Sequence, residues 1–317
     1  MKVIASSPAR ISLLGSGTDV APYRDLYGGE VLSLAINIRT SILLYSDDEI
    51  WEKVNHSIPF EANPALLYEI LDHFHLTGTK HVRIESSFGG FISAGLGSSA
   101  SFTVALIAAI AKYKGLVGLR REDIADLAYE IEVNELGWAG GKQDQFAAAM
   151  GGLNHFEFAG EKTTIATLQR KYAEQLASWM VLCYIGKRKE SRKIQKGLET
   201  LTDTKRQALH NIKKMVPYVT ACLMAEDYSE LGTIIHESWE LKKTTNDVST
   251  PDIDQLYDYA RKHGATGGKI LGAGQGGYMV FIVSPEKRRY FVDKMLERGV
   301  EDVDFSPDYN GVEARIL

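Results

Sequence analysis

Residues 95–101, GLGSSAS, place glycines and hydroxyl side chains directly before a long apolar helix pattern. Because that pattern is apolar on all sides, it is typical of a buried helix. A buried helix start leaves its first backbone N–H groups without partners. Either Ser98 or Ser99 caps them, or an anion does, most commonly a phosphate. The segment therefore predicts an anion-binding helix start, with a capping serine as the alternative.

Acidic residues within a predicted helix over 122–136 are candidates for holding a metal ion. At helical periodicity Glu130 points to solvent, Glu132 lies at the edge of the apolar stripe, and Glu135 lies near its centre. An inward carboxylate is costly unless it is paired or bound to a metal. The pattern leaves Glu132 and Glu135 as candidates, with an ordinary ion pair as the alternative.

Asp144 lies in GGKQDQFAAAM, between a glycine turn and the start of another apolar helix. It either caps that helix or serves as a base beside bound phosphates. Phosphoryl transfer requires a phosphate cradle, Mg²⁺, a cation and a carboxylate that orients the attacking hydroxyl. Residues 95–101 are not a Walker A loop, because no Gly-Lys-Ser/Thr follows. Ser98 and Ser99 are instead candidate phosphate and Mg²⁺ contacts.

Two further glycine-rich segments flank these residues. In the first, a strand pattern ends at Gly15-Ser16-Gly17, and Asp19 either shapes the turn or accepts hydrogen bonds from a polyhydroxyl ligand. The second, residues 267–277, contains a loose dinucleotide fingerprint. A strand pattern follows it where that fingerprint requires a helix, so we reject a Rossmann site. We expect a glycine turn that approaches another loop or a phosphate.

The elements that must position these residues are segregated along the chain. Strand patterns occur at 30–36, 41–46, 82–86, 152–158, 179–185, 278–283 and 312–316, and helical patterns at 65–75, 99–114, 122–136, 189–199, 203–225, 228–244 and 251–263. This segregation predicts an α+β fold. A composition shift predicts two domains, 1–160 and 161–317.

Bulk composition narrows the class of protein. The 317 residues are 44% hydrophobic and 24% charged, with a net charge of −5, which argues against a general nucleic-acid binder. Cys183 and Cys222 lie in apolar patterns and are expected to be core thiols in a reducing compartment. We find no signal-peptide or membrane-span pattern. We therefore expect a cytoplasmic monomer or homodimer that handles small molecules, with no nucleic-acid or membrane partner.

Three motifs in this order resemble those of the GHMP kinase superfamily: PARISLLGSGTD (motif one, 8–19), GLGSSASFTVA (motif two, 95–105) and KILGAGQGGYMVF (motif three, 269–281). The resemblance spans most of the chain. It implies an N-terminal domain like ribosomal protein S5 domain 2, a ferredoxin-like C-terminal domain, and ATP and Mg²⁺ between them.

The resemblance also implies roles for individual residues. Asp144 matches the catalytic Asp, and Arg10 matches the basic residue that stabilises charge on the transferring phosphoryl group. Glu132 matches the Mg²⁺-binding Glu, with one inserted residue that leaves Glu135 as a rival. Ser98 and Ser99 match the phosphate- and Mg²⁺-binding serines, in an unassigned order. The remaining matches are ATP-phosphate contacts at Gly95, Leu96, Gly97 and Ala100, sugar contacts at Asp19, Thr18 and Gly17, and motif-three turns at Gly274, Gly276 and Gly277.

Within the superfamily, longer stretches are most similar to kinases of heptose 7-phosphate, which phosphorylate the C1 hydroxyl to give the 1,7-bisphosphate. A phosphorylated substrate needs a basic anchor, for which Lys187 and Arg188 are candidates, with a solvated helix face as the alternative. Ser16 and Gln275 stand where relatives commonly have glycine. The alternatives are a kinase for another hexose-type sugar, as in galactokinase or fucokinase, a non-catalytic sugar/ATP sensor, and a decarboxylase of the same superfamily.

Overall fold

The structure is a computed structural model that describes residues 1–46, 64–77, 82–160, 162–187 and 200–317. Arg188 and the predicted helix over 189–199 lie outside these ranges. The strands are β1 Lys2–Leu14, β2 Gly29–Ser46, β3 Val82–Phe88, β4 Leu153–Ala159, β5 Lys162–Thr167, β6 Met180–Tyr184, β7 Ala265–Ile270, β8 Tyr278–Val283, β9 Glu301–Asp302 and β10 Glu313–Ile316. The α-helices are α1 Tyr23–Tyr27, α2 Pro64–His73, α3 Ser98–Tyr113, α4 Arg121–Tyr129, α5 Gln143–Met150, α6 Arg170–Trp179, α7 Asp203–Met224, α8 Tyr228–Lys243, α9 Pro251–Lys262 and α10 Arg288–Leu296.

Two antiparallel sheets organise these elements. The first has the order β10-β1-β2-β4-β5, with β3 also paired to β2, and the second has the order β7-β8-β6-β9. The C-terminal strand β10 therefore returns to pair with β1 at the start of the chain. The division at 160/161 falls in the turn between the paired strands β4 and β5 and stays a prediction.

Helix α3 packs against the first sheet and lies in the hydrophobic core. It is buried along nearly its whole length, and Phe102, Val104 and Leu106 pack with Phe146 and Phe156 in one apolar cluster. Burial of each large apolar side chain stabilises the fold by about 1.5–3 kcal/mol. This packing fixes the start of α3, and with it residues 95–101, against the sheet.

A π-helical turn, Glu130–Glu135, follows α4 directly. Within it the N–H of Leu136 bonds to the carbonyl of Ile131, 3.0 Å away and five residues earlier. The wider turn rotates successive side chains by less than an α-helix does. It thereby turns Glu132 into the interior and leaves Glu135 exposed. The expectation that Glu135 lies near the centre of the apolar stripe is wrong, because it assumed α-helical rotation.

The predicted strands and helices in the described ranges are present, with two differences. The patterns at 30–36 and 41–46 form the single strand β2, and the pattern at 122–136 is α4 followed by the π-helical turn. β8 follows the glycines of motif three as expected. The sequence patterns did not reveal β5, β7, β9, α1, α6 or α10. β5 is a mostly exposed edge strand with a polar sequence, and the glycines of β7 lower its strand propensity. Both cysteines are free, and burial raises the pKa of the Cys183 thiol to about 12. Within the described residues, no helix combines the length and apolarity needed to cross a bilayer.

Candidate active site

A cavity of about 310 Å³ lies where the glycine-rich segments meet. Its walls come from the turn after β1, the loop before α3, the π-helical turn, the start of α5, and helices α7 and α8. Gly272 and Ala273 of motif three complete it. Segments far apart in sequence therefore share one cleft, as expected for a ligand site.

Arg10 and Asp144 form a bidentate ion pair at this cavity. The guanidinium donates from Nε to Oδ1 at 2.8 Å and from Nη2 to Oδ2 at 2.7 Å. Its Nη1 donates to the carbonyl of Gly95 at 2.6 Å. The Arg10 side chain is 4% exposed, whereas that of Asp144 is 29% exposed. Arg10 thus holds both the loop before α3 and a carboxylate that faces the cavity.

The start of α3 has a glycine cap rather than a serine cap. Gly97 is the N-cap residue, in a left-handed conformation (φ 73°), and no side chain among the described residues caps the helix. A Cβ on Gly97 would lie 3.3 Å from Oδ2 of Asp144, so glycine permits this close approach. The capping-serine alternative is therefore wrong, since Ser98 and Ser99 lie in the first turn itself. Of the predicted loop residues, Gly95, Gly97, Ser98, Ser99 and Ala100 line the cavity, and Leu96 is buried beneath it.

Glu132 lies behind Ser99 and is 4% exposed. It accepts hydrogen bonds from Ser99 Oγ at 2.8 Å, Thr103 Oγ1 at 2.7 Å and Gln145 Nε2 at 2.5 Å. Burial raises the pKa of Glu132, and the charge of Asp144 adds to that effect. Sequence reasoning missed Thr103 and Gln145. Two features of the sequence could have identified them: Thr103 lies one helical turn after Ser99, and Gln145 is next to Asp144.

The rival acid, Glu135, lies elsewhere. Its Oε1 is 3.9 Å from Nδ1 of His73 on α2, and its side chain is 31% exposed. Among the described residues around the cavity, Glu132 is the member of this pair that lines it. Ser98, the rival of Ser99, instead uses its Oγ to accept from the N–H of Ser93 at 3.3 Å.

Asp19 is fully buried and faces the same cavity. It accepts hydrogen bonds from the backbone N–H and side-chain Nε2 of Gln143, each at 3.2 Å, and from the N–H of Gly17 at 3.2 Å. Burial raises the pKa of Asp19, and the nearby charge of Asp144 raises it further. Gln143 was another residue that sequence reasoning missed.

Thr18 differs from its prediction as a sugar contact. Its hydroxyl lies 2.8 Å from the carbonyl of Gly15 and 2.9 Å from that of Glu30, and it accepts from the N–H of Glu30 at 3.0 Å. The residue is buried and does not line the cavity. Its hydroxyl is committed to the backbone, so Thr18 shapes the turn that presents Gly17 and Asp19.

Motif three packs directly against motif two. Gly277 has a φ of 87°, and a Cβ there would lie 2.0 Å from the carbonyl oxygen of Ala94. The N–H of Tyr278 donates to that same carbonyl at 2.9 Å. Gly274 and Gly276 also adopt positive φ, and Gln275 does so at 58°, with its Nε2 bonded to the carbonyl of Asp247 at 2.7 Å. The predicted glycine turn is therefore present and approaches another loop.

The cavity is also lined by two lysines that were not predicted as site residues, Lys205 of α7 and Lys242 of α8. Lys187, the predicted phosphate anchor, is exposed beyond the end of β6 and is not part of the cavity lining. Its predicted partner Arg188 lies outside the described residues. Besides Arg10 of β1, the cations that line the cavity therefore come from α7 and α8 in the second half of the chain.

Comparison with known proteins identifies the family of the chain. Residues 65–152 match the GHMP kinases N terminal domain, and residues 219–301 match GHMP kinases C terminal. The D-glycero-alpha-D-manno-heptose 7-phosphate kinase of Campylobacter jejuni is 30% identical over 341 aligned positions, covering 99% of both chains. A mevalonate kinase of Saccharolobus solfataricus is 28% identical over 71% of this chain and 70% of its own length.

Comparison with solved structures gives a similar result. A crystal structure of a D-glycero-D-manno-heptose 1-phosphate kinase from Bacteroides thetaiotaomicron superposes with a TM-score of 0.78. It is 25% identical and covers 99% of both chains. The predicted α+β GHMP kinase fold is confirmed by these matches. The chain belongs to the GHMP kinases, a family of enzymes that phosphorylate sugars and other small molecules.

Proposed function

We propose that this protein transfers the γ-phosphoryl group of ATP to the C1 hydroxyl of D-glycero-D-manno-heptose 7-phosphate, giving the 1,7-bisphosphate. The single observation that carries the phosphotransferase site is the Arg10–Asp144 pair beside the glycine-capped start of α3. Such a site needs a phosphate cradle, a cation and a carboxylate within reach of one another. All three occur together here: the start of α3 offers backbone N–H groups, Arg10 is the cation and Asp144 is the carboxylate. A Cβ built on Gly97 would lie 3.3 Å from Asp144 Oδ2, so the carboxylate is close to the helix start.

The ATP phosphates are assigned to residues 95–100. In the part of the chain that the structure describes, no side chain caps the backbone N–H groups of the first turn of α3, and this turn lines the cavity. A helix start of this kind favours an anion by about 0.3–2 kcal/mol. Arg10 Nη1 donates to the carbonyl of Gly95 in the same loop at 2.6 Å, and we assign its positive charge to stabilising negative charge on the transferred phosphoryl group.

The residues around Glu132 suit a bound Mg²⁺. The carboxylate is buried, and its hydrogen-bond partners in the described residues, Ser99, Thr103 and Gln145, are neutral. Carboxylate and hydroxyl oxygens are the ligands that Mg²⁺ accepts, together with substrate phosphates. Glu132 and Ser99 would hold the ion, with Ser98 as the alternative hydroxyl. When bound, Mg²⁺ neutralises charge on the triphosphate.

The chain's own groups then act on the sugar. The exposed part of the Asp144 carboxylate orients the attacking hydroxyl and accepts its proton as the oxygen–phosphorus bond forms and ADP leaves. General-base assistance of this kind contributes about 10²–10⁴-fold to the rate. Asp19 and Gln143 form a rigid pair beside Gly17, and we assign them to the other sugar hydroxyls.

The heptose assignment draws on the two relatives named for heptose phosphates, with 30% and 25% identity. The test is ADP release from ATP and Mg²⁺ with heptose 7-phosphate, mannose, galactose, fucose, mevalonate and homoserine. Turnover on heptose 7-phosphate far above the others supports the proposal. Preference for a free sugar supports a hexose-type kinase instead, and no turnover on any of them supports a sensor.

A further inference from the structure

We propose that Lys242, with Ser16 and Lys205, binds the distal phosphate of the sugar substrate. This inference rests on the proposed function, since it concerns the phosphate that the substrate already carries. It replaces Lys187 and Arg188 with residues that line the cavity itself.

Lys242 is tied to the turn that holds Asp19. It lies in the last turn of α8, and its Nζ donates to the Oγ of Ser16 at 2.7 Å. Ser16 precedes Gly17, whose N–H donates to Asp19 Oδ1 at 3.2 Å. The ammonium group therefore lies on the sugar side of the cleft.

Lys205 lines the cavity from α7. It is 4% exposed, and its Nζ lies 3.3 Å from the carbonyl of Thr200. Leu209, one helical turn later, lies on the same face, and its Cδ2 is 3.3 Å from where a Cβ on Gly17 would be. Burial lowers the pKa of Lys205. An ammonium in this low-dielectric position interacts strongly with an arriving anion.

The charges that line the cavity are mixed. Three carboxylates, Asp19, Asp144 and Glu132, share the lining with the cations Arg10, Lys205 and Lys242. Arg10 is paired with Asp144, and the substrate phosphate is assigned to the two lysines. A sugar held with its phosphate on the lysines presents its remaining hydroxyls to Asp19 and its reactive hydroxyl to Asp144. Unphosphorylated sugars lose this anchor.

The test compares K242M and K205M with the wild type, since methionine keeps much of the aliphatic side chain and removes the charge. The measured quantity is the ratio of kcat/KM for heptose 7-phosphate to kcat/KM for unphosphorylated heptose. We expect each substitution to lower this ratio about 10- to 100-fold, as for loss of one charged hydrogen bond. KM for ATP should not rise in parallel. K214M, an exposed lysine on α7, is the matched control and should keep the ratio.

Other outcomes separate the two proposals. If the wild type prefers heptose 7-phosphate but both variants keep that preference, the anchor is wrong and the proposed function stands. A parallel rise in KM for ATP would place the lysines on the nucleotide phosphates and overturn the anchor. If the wild type turns over no sugar phosphate, the proposed function fails. The anchor is then decided by calorimetry with inorganic phosphate, where equal affinity for wild type and the K205M/K242M double variant refutes it. Thermal melts of each variant identify any loss of fold.

Discussion

Arg10 and Asp144, 134 positions apart in sequence, share two hydrogen bonds of 2.8 and 2.7 Å at the wall of the cavity. Because the third guanidinium nitrogen holds Gly95, the pair joins strand β1, the loop before α3 and the start of α5. One buried arginine therefore orients the carboxylate and holds the loop before α3 beside it. A bidentate contact of this kind fixes the orientation of the carboxylate as well as its distance from the guanidinium.

Asp144→Asn should lower kcat by about 10²–10⁴-fold, because the amide cannot take the proton of the attacking hydroxyl. Steady-state ADP release measures kcat, and circular dichroism with thermal melting checks that the fold is kept. A loss of less than about tenfold would make Asp144 a structural partner of Arg10 rather than a base.

Arg10→Lys keeps the positive charge but cannot reproduce the fork that spans Asp144 and Gly95. We expect kcat to fall by about 10- to 100-fold, with a rise in KM for ATP as the loop loses its carbonyl contact. Kinetics at varied ATP concentration measure both constants. Wild-type values in this variant would show that charge alone is sufficient at this position.

Glu132→Gln should stabilise the protein at neutral pH when nucleotide and Mg²⁺ are absent. The folded-state pKa of Glu132 is raised above its ordinary value of 4.5, so the folded state binds more protons than the unfolded state between those two values. The wild type therefore loses stability as pH rises through that window, whereas the amide does not. A gain on the order of 1 kcal/mol raises Tm by about 1.5 °C for a chain of 317 residues.

The hydrogen bonds at Glu132 allow this substitution. Gln145 Oε1 is buried and has no hydrogen-bond partner among the described residues, so a rotated Gln145 amide can accept from the amide introduced at position 132. Melts from pH 4 to 8 should show about equal Tm at the acidic end and a gap that opens toward neutral pH. Added ATP and Mg²⁺ should stabilise the wild type more than the variant. E130Q, on the same turn and exposed, is the control, and an equal gap in E130Q would contradict the assignment.

Gly277→Ala should displace Ala94, the residue directly before motif two. The added Cβ would lie 2.0 Å from the carbonyl oxygen of Ala94, and the positive φ adds strain of about 1–2 kcal/mol. Gly115→Ala is a matched control, because Gly115 also has positive φ, 65°, but none of the described residues lies within 4 Å of its added Cβ. We expect a lower Tm for both variants and a rise in KM for ATP for G277A alone. Equal kinetic effects would show that the contact with Ala94 does not set the loop.

Much of the fold was predictable from sequence, because hydrophobic periodicity and turn residues act locally. The all-apolar pattern after residue 98 identified α3, and the β-branched run after Gly277 identified β8 and excluded a Rossmann helix. The edge strand β5 escaped because its residues are polar and exposed. A π-helical turn has no period that distinguishes it from an α-helix over six residues, so the position of Glu135 was misjudged.

By itself, the sequence determined the family, the order of the three motifs, and which residue types were available at the site: the glycines before α3, its hydroxyls, and the acids Asp19, Glu132 and Asp144. Only the tertiary structure decided between rivals. It turned Glu132 rather than Glu135 to the cavity, committed Thr18 to the backbone, brought Lys242 to Ser16 in the turn after β1, and placed Lys205 in the cavity wall. The physical reason is that burial and the geometry of side-chain partners depend on which distant segments pack together. Local hydrophobic periodicity does not encode those long-range contacts.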